Sequence, residues 1–309
     1  MRKIYAIGET LFDIIFKDGQ PQAAKPGGAM LNSTVSLGRI GLPVSLISEY
    51  GDDDIGNIID KFLVENGVET IHTDHFKDGR TALAIAMLNE KNDASYSFYK
   101  NYPAERLKMK FPSVKKDDIV LCGSIYAITT EIRKKFLDLL AMSKNNGAIV
   151  IYDPNFRGSH SAELDELRPM IIENMQTATI IRGSDEDFIN IFGTRTRDET
   201  WNITRNYCDN LVYTASADGV FVRTKGFSGR FPVADIVPVS TIGAGDNFNA
   251  GMIAAIYNAG IGRDGIADLG GEMWARIVES GVGFATDVCM SYENYISREF
   301  AIKFKLRTK

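Results

Sequence analysis

Runs of apolar, β-prone residues alternate with helical patterns along most of this 309-residue chain. Residues 130–143 illustrate the helical pattern, because Ile132, Phe136 and Leu140 share one face while the charged residues fall elsewhere. Nearly continuous apolar runs are typical of strands that are covered on both faces. The predicted strands are residues 3–7, 44–48, 119–122, 148–152, 179–181 and 210–214. Strands that alternate with helices predict an α/β fold in which a parallel sheet lies between two helical layers.

Several β-prone segments lie outside this alternation and predict a second, smaller sheet. They are residues 11–16 and a candidate hairpin of residues 81–89 and 95–100 with its turn around residues 90–94. Near the other end of the chain, residues 219–223 and 229–232 predict another meander. No Pro- or Ser-rich linker separates them from the rest. The sequence therefore predicts one domain over residues 1–309 that carries a small β lid, formed by about residues 11–25 and 76–107.

The composition removes several classes of function. Lysine and arginine number 35 against 40 aspartate and glutamate residues, a net charge of −5. Nucleic-acid binding is not expected, because it depends on a basic surface. No apolar run approaches the roughly 18 residues that a membrane span requires, so no membrane association is expected. The N-terminal apolar run is too short for a signal peptide and the three cysteines are dispersed, so we expect a cytoplasmic protein.

Three motifs have simpler structural explanations than a binding site. The Gly-x-Gly-x-x-Gly pattern at residues 260–265 follows a predicted helix, not a strand, so it predicts a turn between helices rather than a dinucleotide site. His72 and His75 are better explained as a solvated strand end than as a metal pair. The aspartates at 52–54 precede a predicted helix, where acidic residues act as caps.

The segment from Gly243 to Asp246 carries the strongest chemical signal. Its small residues allow a tight turn and a close approach of a ligand to the backbone. The helical stretch that follows, up to Ala259, would point its free N–H groups at that ligand, and a helix N-terminus favours an anion. Asp246 beside a bound phosphate could accept a proton from an attacking hydroxyl. An aspartate N-cap on a glycine turn explains the same residues equally well.

A second group of polar and small residues lies near the start of the chain. Gly27 and Gly28 precede the predicted helix 30–40 and permit a close approach of a polar ligand, and Asn32 can donate and accept hydrogen bonds. Asp13 follows the first strand, where α/β proteins place ligand-binding groups. A cap and turn without a ligand remains the alternative.

A third group directly follows the predicted strand 148–152. It begins at Asp153 and ends at Arg157, whose guanidinium suits a phosphate or a carboxylate. Polar groups at the carboxyl end of a strand face the crevice where ligands bind. A surface loop is the alternative interpretation.

Taken in order, these segments resemble the ribokinase-like, or PfkB, family of sugar kinases. The matching motifs are Gly27-Gly28-Ala29-x-x-Asn32, Leu37-Gly38-Arg39-Ile40-Gly41, Gly51-Asp52-x-x-x-Gly56, Gly67-Val68 and Gly243-Ala244-Gly245-Asp246-x-Phe248-x-Ala250-Gly251. The resemblance covers about residues 4 to 290. It implies a three-layer αβα sandwich with a central, mostly parallel sheet and a small β-sheet lid over a sugar site. It also implies ATP-dependent phosphorylation of a sugar hydroxyl.

The resemblance assigns roles by position. Asp246 resembles the catalytic base, and the anion hole that holds the transferring phosphate matches Gly243, Ala244 and Gly245. The sugar-binding set matches Asp13, Gly27, Gly28 and Asn32. Phosphoryl transfer depends mainly on positioning and charge neutralisation, which agrees with this set of groups.

The nucleotide side departs from the family pattern at three places. The nucleotide-binding positions are Ser184, Thr214, Ser216 and Gly219, where Ser184 replaces an asparagine and Ser216 a glycine. Asp187 is the candidate metal residue and would act on Mg²⁺ through water, since magnesium usually keeps several waters. Ser240 replaces the aspartate that helps to hold a monovalent cation in several members, so potassium activation is an open question.

The lid and the strand ends resemble those of fructokinases most. Phe98 and Lys100 on the lid, together with Arg157, complete the expected substrate-binding set. Kinases of 2-keto-3-deoxygluconate share much of this pattern, and Lys100 could pair with a sugar-acid carboxylate. The alternatives are therefore such a kinase, another sugar or nucleoside kinase, or a catalytically silent sugar-binding protein on the same fold. The expected partners are a small sugar, ATP and a second copy of the chain through the lid.

Overall fold

The computed structural model describes residues 1–89 and 94–307. The strands, labelled in chain order, are β1 (Ile4–Ile7), β2 (Leu11–Lys17), β3 (Gln20–Gly27), β4 (Val44–Gly51), β5 (Val68–Glu69), β6 (Thr73–Phe76), β7 (Arg80–Leu88), β8 (Ala94–Asn101), β9 (Ile119–Gly123), β10 (Ile149–Asp153), β11 (Ile180–Ser184), β12 (Asn210–Thr214), β13 (Val220–Thr224) and β14 (Ser228–Phe231). The α-helices are α1 (Ala29–Arg39), α2 (Asp54–Glu65), α3 (Arg133–Asn145), α4 (Leu164–Thr177), α5 (Asp185–Phe192), α6 (Arg197–Thr204), α7 (Ala244–Asn258), α8 (Gly271–Cys289) and α9 (Arg298–Arg307).

Ten of these strands form a large, mostly parallel sheet. Its order is β14-β13-β12-β11-β10-β9-β1-β4-β5, and β6 continues the edge by pairing with β4. The pairs from β12 to β5 are parallel, whereas β13 and β14 join antiparallel at one edge. All six strands predicted from the apolar runs lie in this sheet.

Residues alternate along β1 between two hydrophobic cores. Ile4 and Ala6 pack in a core with residues of α1, α2, α7 and α8, whereas Tyr5 and Ile7 pack in a second core with residues of α3, α4 and α5. Because successive side chains of a strand point to opposite faces, one apolar strand serves both cores. The predicted three-layer αβα arrangement is confirmed.

The smaller sheet contains four strands in the order β3-β2-β7-β8. It uses the segments that the sequence predicted for the lid, and β2 pairs antiparallel with β3 and parallel with β7. The predicted hairpin turn around residues 90–94 is described only at Ala94, where β8 begins, because residues 90–93 lie outside the described residues, as do the last two residues of the predicted domain. That this sheet closes over a ligand stays a prediction.

The three motifs that received structural explanations behave accordingly. The Asp53 carboxylate caps α2 by accepting a hydrogen bond from the backbone N–H of Gly56. Residues 260–265 lie between α7 and α8, and His75 belongs to β6. In the part of the chain that the structure describes, no helix is long and apolar enough to cross a bilayer.

Candidate active site

Most of the predicted site residues lie at the carboxyl edge of the large sheet, whereas Asp13, Phe98 and Lys100 lie on the small sheet. The parallel strands β10, β11 and β12 end there at Asp153, Ser184 and Thr214. Helices α1 and α7 pack side by side at the same edge, and the Ser33 hydroxyl of α1 donates a 2.7 Å hydrogen bond to the backbone carbonyl of Asp246 in α7. The crevice beyond the ends of parallel strands is where α/β proteins bind ligands.

The turn into α7 is built for a close approach of its backbone. Gly243 precedes the helix with φ +79°, and a Cβ there would lie 2.8 Å from the carbonyl oxygen of Asn294. The N–H of Ala244 donates to the carbonyl of Thr241 at 3.2 Å. The first N–H groups of α7, including that of Gly245, have no intrahelical acceptor and can face an anion.

Asp246 lies in the first turn of α7 but does not cap it. Gly243 occupies the N-cap position and no side chain caps the helix, so the N-cap interpretation of Asp246 is wrong. Instead, one Asp246 carboxylate oxygen (Oδ2) accepts a 2.8 Å hydrogen bond from Asn32 Nδ2. Asp246 is 9% exposed. The two residues that the sequence placed in separate motifs, 214 positions apart, are thus in direct contact.

Burial raises the pKa of Asp246 to about 6. The Asp153 carboxylate raises this pKa further, whereas the hydrogen bond from Asn32 and the charges of Arg157 and Arg182 lower it. A carboxylate with a pKa near 6 is ionised at neutral pH and still basic enough to take a proton from a hydroxyl.

Asp13 lies on β2 of the small sheet, next to the start of α1. Burial raises its pKa to about 6, and the charge of Lys25 opposes that shift. A Cβ on Gly27 would lie 2.1 Å from Asp13 Oδ2, and one on Gly28, which has φ +126°, would lie 2.2 Å from the carbonyl oxygen of Glu9. Within the described residues no group donates a hydrogen bond to the Asp13 carboxylate. It is therefore available to a ligand hydroxyl.

Two predicted substrate-binding residues, Phe98 and Lys100, lie on the small sheet. On β8, Phe98 is 57% exposed, and its ring stacks at 11° on that of Tyr96 with the centroids 6.1 Å apart. Lys100 pairs with Glu9, whose Oε1 lies 2.6 Å from the ammonium nitrogen and also accepts a 2.7 Å hydrogen bond from the hydroxyl of Tyr102. The charge of Lys100 is thus neutralised within the protein.

Arg157 lies exposed just after β10. Its charge lowers the pKa of Asp246 and counteracts the burial that raises the pKa of Tyr96. Arg157 is therefore near both Tyr96 of the small sheet and Asp246 of α7.

The nucleotide-side residues are engaged mainly with the protein itself. The Ser184 hydroxyl and the Asp187 carboxylate form a capping box at the start of α5. The Thr214 hydroxyl accepts a 3.0 Å hydrogen bond from Arg182 Nη2. Ser216 has φ +43°, a conformation that favours the glycine it replaces, and a Cβ on Gly219 would lie 2.5 Å from the carbonyl oxygen of Phe231.

The described residues contain no cluster of three or more histidine, cysteine or acidic side chains that could hold a metal ion. The Asp187 carboxylate already accepts hydrogen bonds from the backbone N–H groups of Phe156 and Ser184 and from the Ser184 hydroxyl. Both carboxylate oxygens of Asp187 are therefore already engaged by the protein. The Ser240 hydroxyl accepts a 3.2 Å hydrogen bond from the N–H of Ile242.

Three residues at the site escaped the sequence predictions. Glu9 neutralises Lys100, and both Arg182 and Asn249 donate to Asp153 Oδ2, at 2.7 and 2.6 Å. The signal for Arg182 was present, because a lone cation in the buried strand β11 needs a buried partner. Nothing in the local sequence around Glu9 or Asn249 indicates their partners.

Comparison with known proteins gives consistent matches. A family model described as pfkB family carbohydrate kinase matches residues 1–293. The chain is 30% identical over 271 residues to probable fructokinase-6, chloroplastic, of Arabidopsis thaliana, an alignment that covers 82% of this chain and 70% of that protein. Because that relative's name carries a plastid location, a cytoplasmic location stays a prediction.

Solved structures show the same fold. Aminoimidazole riboside kinase from Salmonella enterica, complexed with aminoimidazole riboside and an ATP analogue, superposes with a TM-score of 0.85 at 20% identity and covers 100% of both chains. A fructokinase double mutant from Vibrio cholerae O395, bound to fructose, ADP and potassium, superposes with a TM-score of 0.79 at 21% identity and covers 95% of this chain and 94% of that one.

Proposed function

Because the chain belongs to the pfkB family of carbohydrate kinases, and is therefore a phosphotransferase acting on a sugar hydroxyl, we propose that it transfers the γ-phosphate of ATP to fructose. The observation that carries this proposal is the pairing of Asp246 with Asn32 at the start of α7. It joins the two motifs into one site with a buried carboxylate beside unpaired helical N–H groups.

The proposed reaction follows from these groups. The Asp246 carboxylate takes the proton of the sugar hydroxyl while the hydroxyl oxygen forms a bond to the γ-phosphorus. The bond from the γ-phosphorus to the bridging oxygen breaks, and ADP leaves with that electron pair. The backbone from Gly243 to Gly245 stabilises the charge on the transferring phosphoryl group. Mg²⁺ bound to the nucleotide would neutralise phosphate charge, and Asp187 could contact one of its waters.

The sugar would lie between the two sheets. The free carboxylate of Asp13 supports a role in accepting hydrogen bonds from sugar hydroxyls. Asn32 holds Asp246, and its own Oδ1 is buried without a partner among the described residues, so it can accept from the same sugar. Closure of the small sheet would exclude water, which otherwise competes as a phosphoryl acceptor.

The pairing of Lys100 with Glu9 favours fructose over a sugar acid. A carboxylate on the substrate would have to displace Glu9 from a 2.6 Å ion pair before it could use the charge of Lys100. A neutral ketose can bind without displacing Glu9 from Lys100. The curated relative at 30% identity is itself named a probable fructokinase.

ATP binding is proposed at the ends of β11 and β12. Ser184 and Thr214 end these two strands, and Ser216 and Gly219 lie in the short turn that follows β12. Activation by potassium and pairing of two copies through the small sheet stay predictions. The exposed Tyr99 and Met87 on the small sheet are consistent with such pairing.

The test is ADP formation with a panel of sugars, ATP and Mg²⁺, run with and without potassium. We expect the highest kcat/KM with fructose, and a fall in turnover of about 10²–10⁴ for Asp246→Asn. A higher kcat/KM with 2-keto-3-deoxygluconate would overturn the fructose assignment. Full activity of Asp246→Asn would overturn the assignment of the base.

A second variant isolates the sugar preference. Glu9→Gln releases Lys100, so the kcat/KM ratio of sugar acid to fructose should rise about tenfold. Lys100→Met is the matched control, because it removes the cation and should leave that ratio low. An unchanged ratio in Glu9→Gln contradicts the proposed basis for selectivity.

A further inference from the structure

Arg182 is a buried cation beneath the turn that begins α7. Its Nη1 donates to Asp153 Oδ2 at 2.7 Å and its Nη2 to the Thr214 hydroxyl at 3.0 Å. Its Nε is buried and has no hydrogen-bond partner among the described residues. Three strands and the start of α7 therefore meet around one guanidinium.

The contact with the turn is unusually close. A Cβ on Gly245 would lie 2.8 Å from Arg182 Nη1 and 3.1 Å from Nη2, so any other residue at position 245 would push the guanidinium away. Its carbon Cζ also lies 5.5 Å from the ring centroid of Phe248, one turn further along α7. Gly245 thus has a second purpose besides exposing the backbone to phosphate.

Several charged groups face Asp246 from the elements around it. Asp153 at the end of β10 raises the pKa of Asp246, after burial itself, and Arg182 on β11 and Arg157 beyond β10 lower it. From α1, Asn32 donates a hydrogen bond. Arg182 is the buried cation of this set, because Arg157 is exposed to solvent and to salt.

We propose that Arg182 is a positioning residue that seats the turn from Gly243 to Asp246 and keeps the Asp246 carboxylate ionised. The proposal rests on the proposed role of Asp246 as the base. Arg182 acts without touching the substrate. It fixes the backbone of the anion hole by contact with Gly245 and places a permanent positive charge beneath the base. Asp153, held by Arg182 and Asn249, orients the guanidinium.

The test is the pH dependence of kcat/KM, in which the acid limb reports ionisation of the base in the free enzyme. Arg182→Gln should move this limb to higher pH by about one pH unit, because a nearby positive charge is lost. Arg182→Lys should leave the limb near its wild-type position while kcat falls, because the charge stays but the two-armed contact is lost. Asp153→Asn should move the limb to lower pH.

Arg133→Gln is the matched control. Arg133 is another largely buried arginine paired with a carboxylate, Glu173, and it lies away from α7. Its loss should leave the acid limb unchanged whatever it does to stability. If Arg182→Gln does not fold, the proposal is tested by Asp153→Asn alone, whose acid limb should move to lower pH.

Two results would overturn the proposal in distinguishable ways. If Asp246→Asn is inactive but the limb is at its wild-type position in both Arg182→Gln and Asp153→Asn, Arg182 has a structural role alone and the proposed function stands. If Asp246→Asn is fully active, the base is elsewhere, and the proposed function fails together with this inference.

Discussion

The described part of the chain contains two buried ion pairs, one below the small sheet and one below the candidate active site. They are equally buried but differ in the number of carboxylates that face the cation. In the pair of Glu49 and Arg106, the side chains are 1% and 6% exposed, and in the pair of Asp153 and Arg182 they are 1% and 8% exposed. Burial alone therefore does not distinguish them.

The first pair, Glu49 and Arg106, is balanced in charge. Glu49 Oε1 lies 2.8 Å from Arg106 Nε and 2.6 Å from Nη2, and Glu49 also accepts hydrogen bonds from the Tyr126 hydroxyl and the N–H of Leu107. The guanidinium lies 3.7 Å from the ring centroid of Tyr102, just beyond β8. One cation meets one carboxylate, and the arrangement fixes the base of the small sheet to the core.

The second pair, Asp153 and Arg182, is not balanced in charge. Arg182 faces three carboxylates, those of Asp153, Asp187 and Asp246, which together raise its pKa against the lowering effect of burial. Arg182 Nε and Asn249 Oδ1 are both buried without a hydrogen-bond partner among the described residues, as is Arg106 Nη2 in the first pair. Unbalanced charge and unsatisfied polar atoms are typical of sites that complete their contacts with a ligand. The comparison teaches that the number of carboxylates facing the cation, rather than burial, distinguishes the pair at the candidate site from the pair below the small sheet.

The largest effect on stability is expected at the pair of Glu49 and Arg106. Glu49→Gln leaves Arg106 buried without a counter-ion and should lower the free energy of unfolding by about 3–5 kcal/mol. Asp153→Asn should cost less than half as much, because Asp187 and Asp246 still face Arg182. Urea unfolding followed by circular dichroism measures both. Equal losses of unfolding free energy in the two variants would contradict the distinction between the two pairs.

An intermediate effect is expected from Asp246→Asn. Because burial raises the pKa of Asp246 from 3.8 to about 6, the folded state binds this proton more tightly than the unfolded state. The stability this provides is present below pH 3.8 and is lost as the pH rises through 6. The neutral variant avoids that loss, so it should be more stable than wild type by about 2–3 kcal/mol at pH 8 and by roughly half of that at pH 5. Unfolding at the two pH values checks this, and a gain that does not depend on pH would contradict it.

The smallest effect on stability is expected from backbone strain at Ser216, close to the pair of Asp153 and Arg182. Ser216 lies two residues beyond Thr214, the partner of Arg182, and has φ +43°. Ser216→Gly should raise the free energy of unfolding by about 1 kcal/mol, because glycine adopts this conformation without steric cost. Ser216→Ala is the control and should bring no gain. A gain with alanine would mean that the hydroxyl, not the backbone, is unfavourable.

Much of the fold could be predicted because it depends on local patterns. Continuous apolar runs identified six of the parallel strands, and three segments outside the alternation, residues 11–16, 81–89 and 95–100, identified strands of the small sheet. Element ends were less accurate: the helix that was predicted to follow residues 243–246 begins at Ala244, because Gly245 and Asp246 belong to its first turn. Strand β3, which ends at Gly27, was not predicted because its exposed polar residues carry no apolar period.

The sequence by itself determined the family, the sandwich and the position of Asp246 at a helix start, since each rests on residues close together in the chain. Tertiary structure alone decided that Asn32 bonds Asp246, that Glu9 neutralises Lys100 and that Arg182 lies against Gly245. These pairs are separated by 63 to 214 positions, the first two distances being 214 and 91. A charge acts on whatever lies within a few ångströms of it, and only folding determines which residues those are.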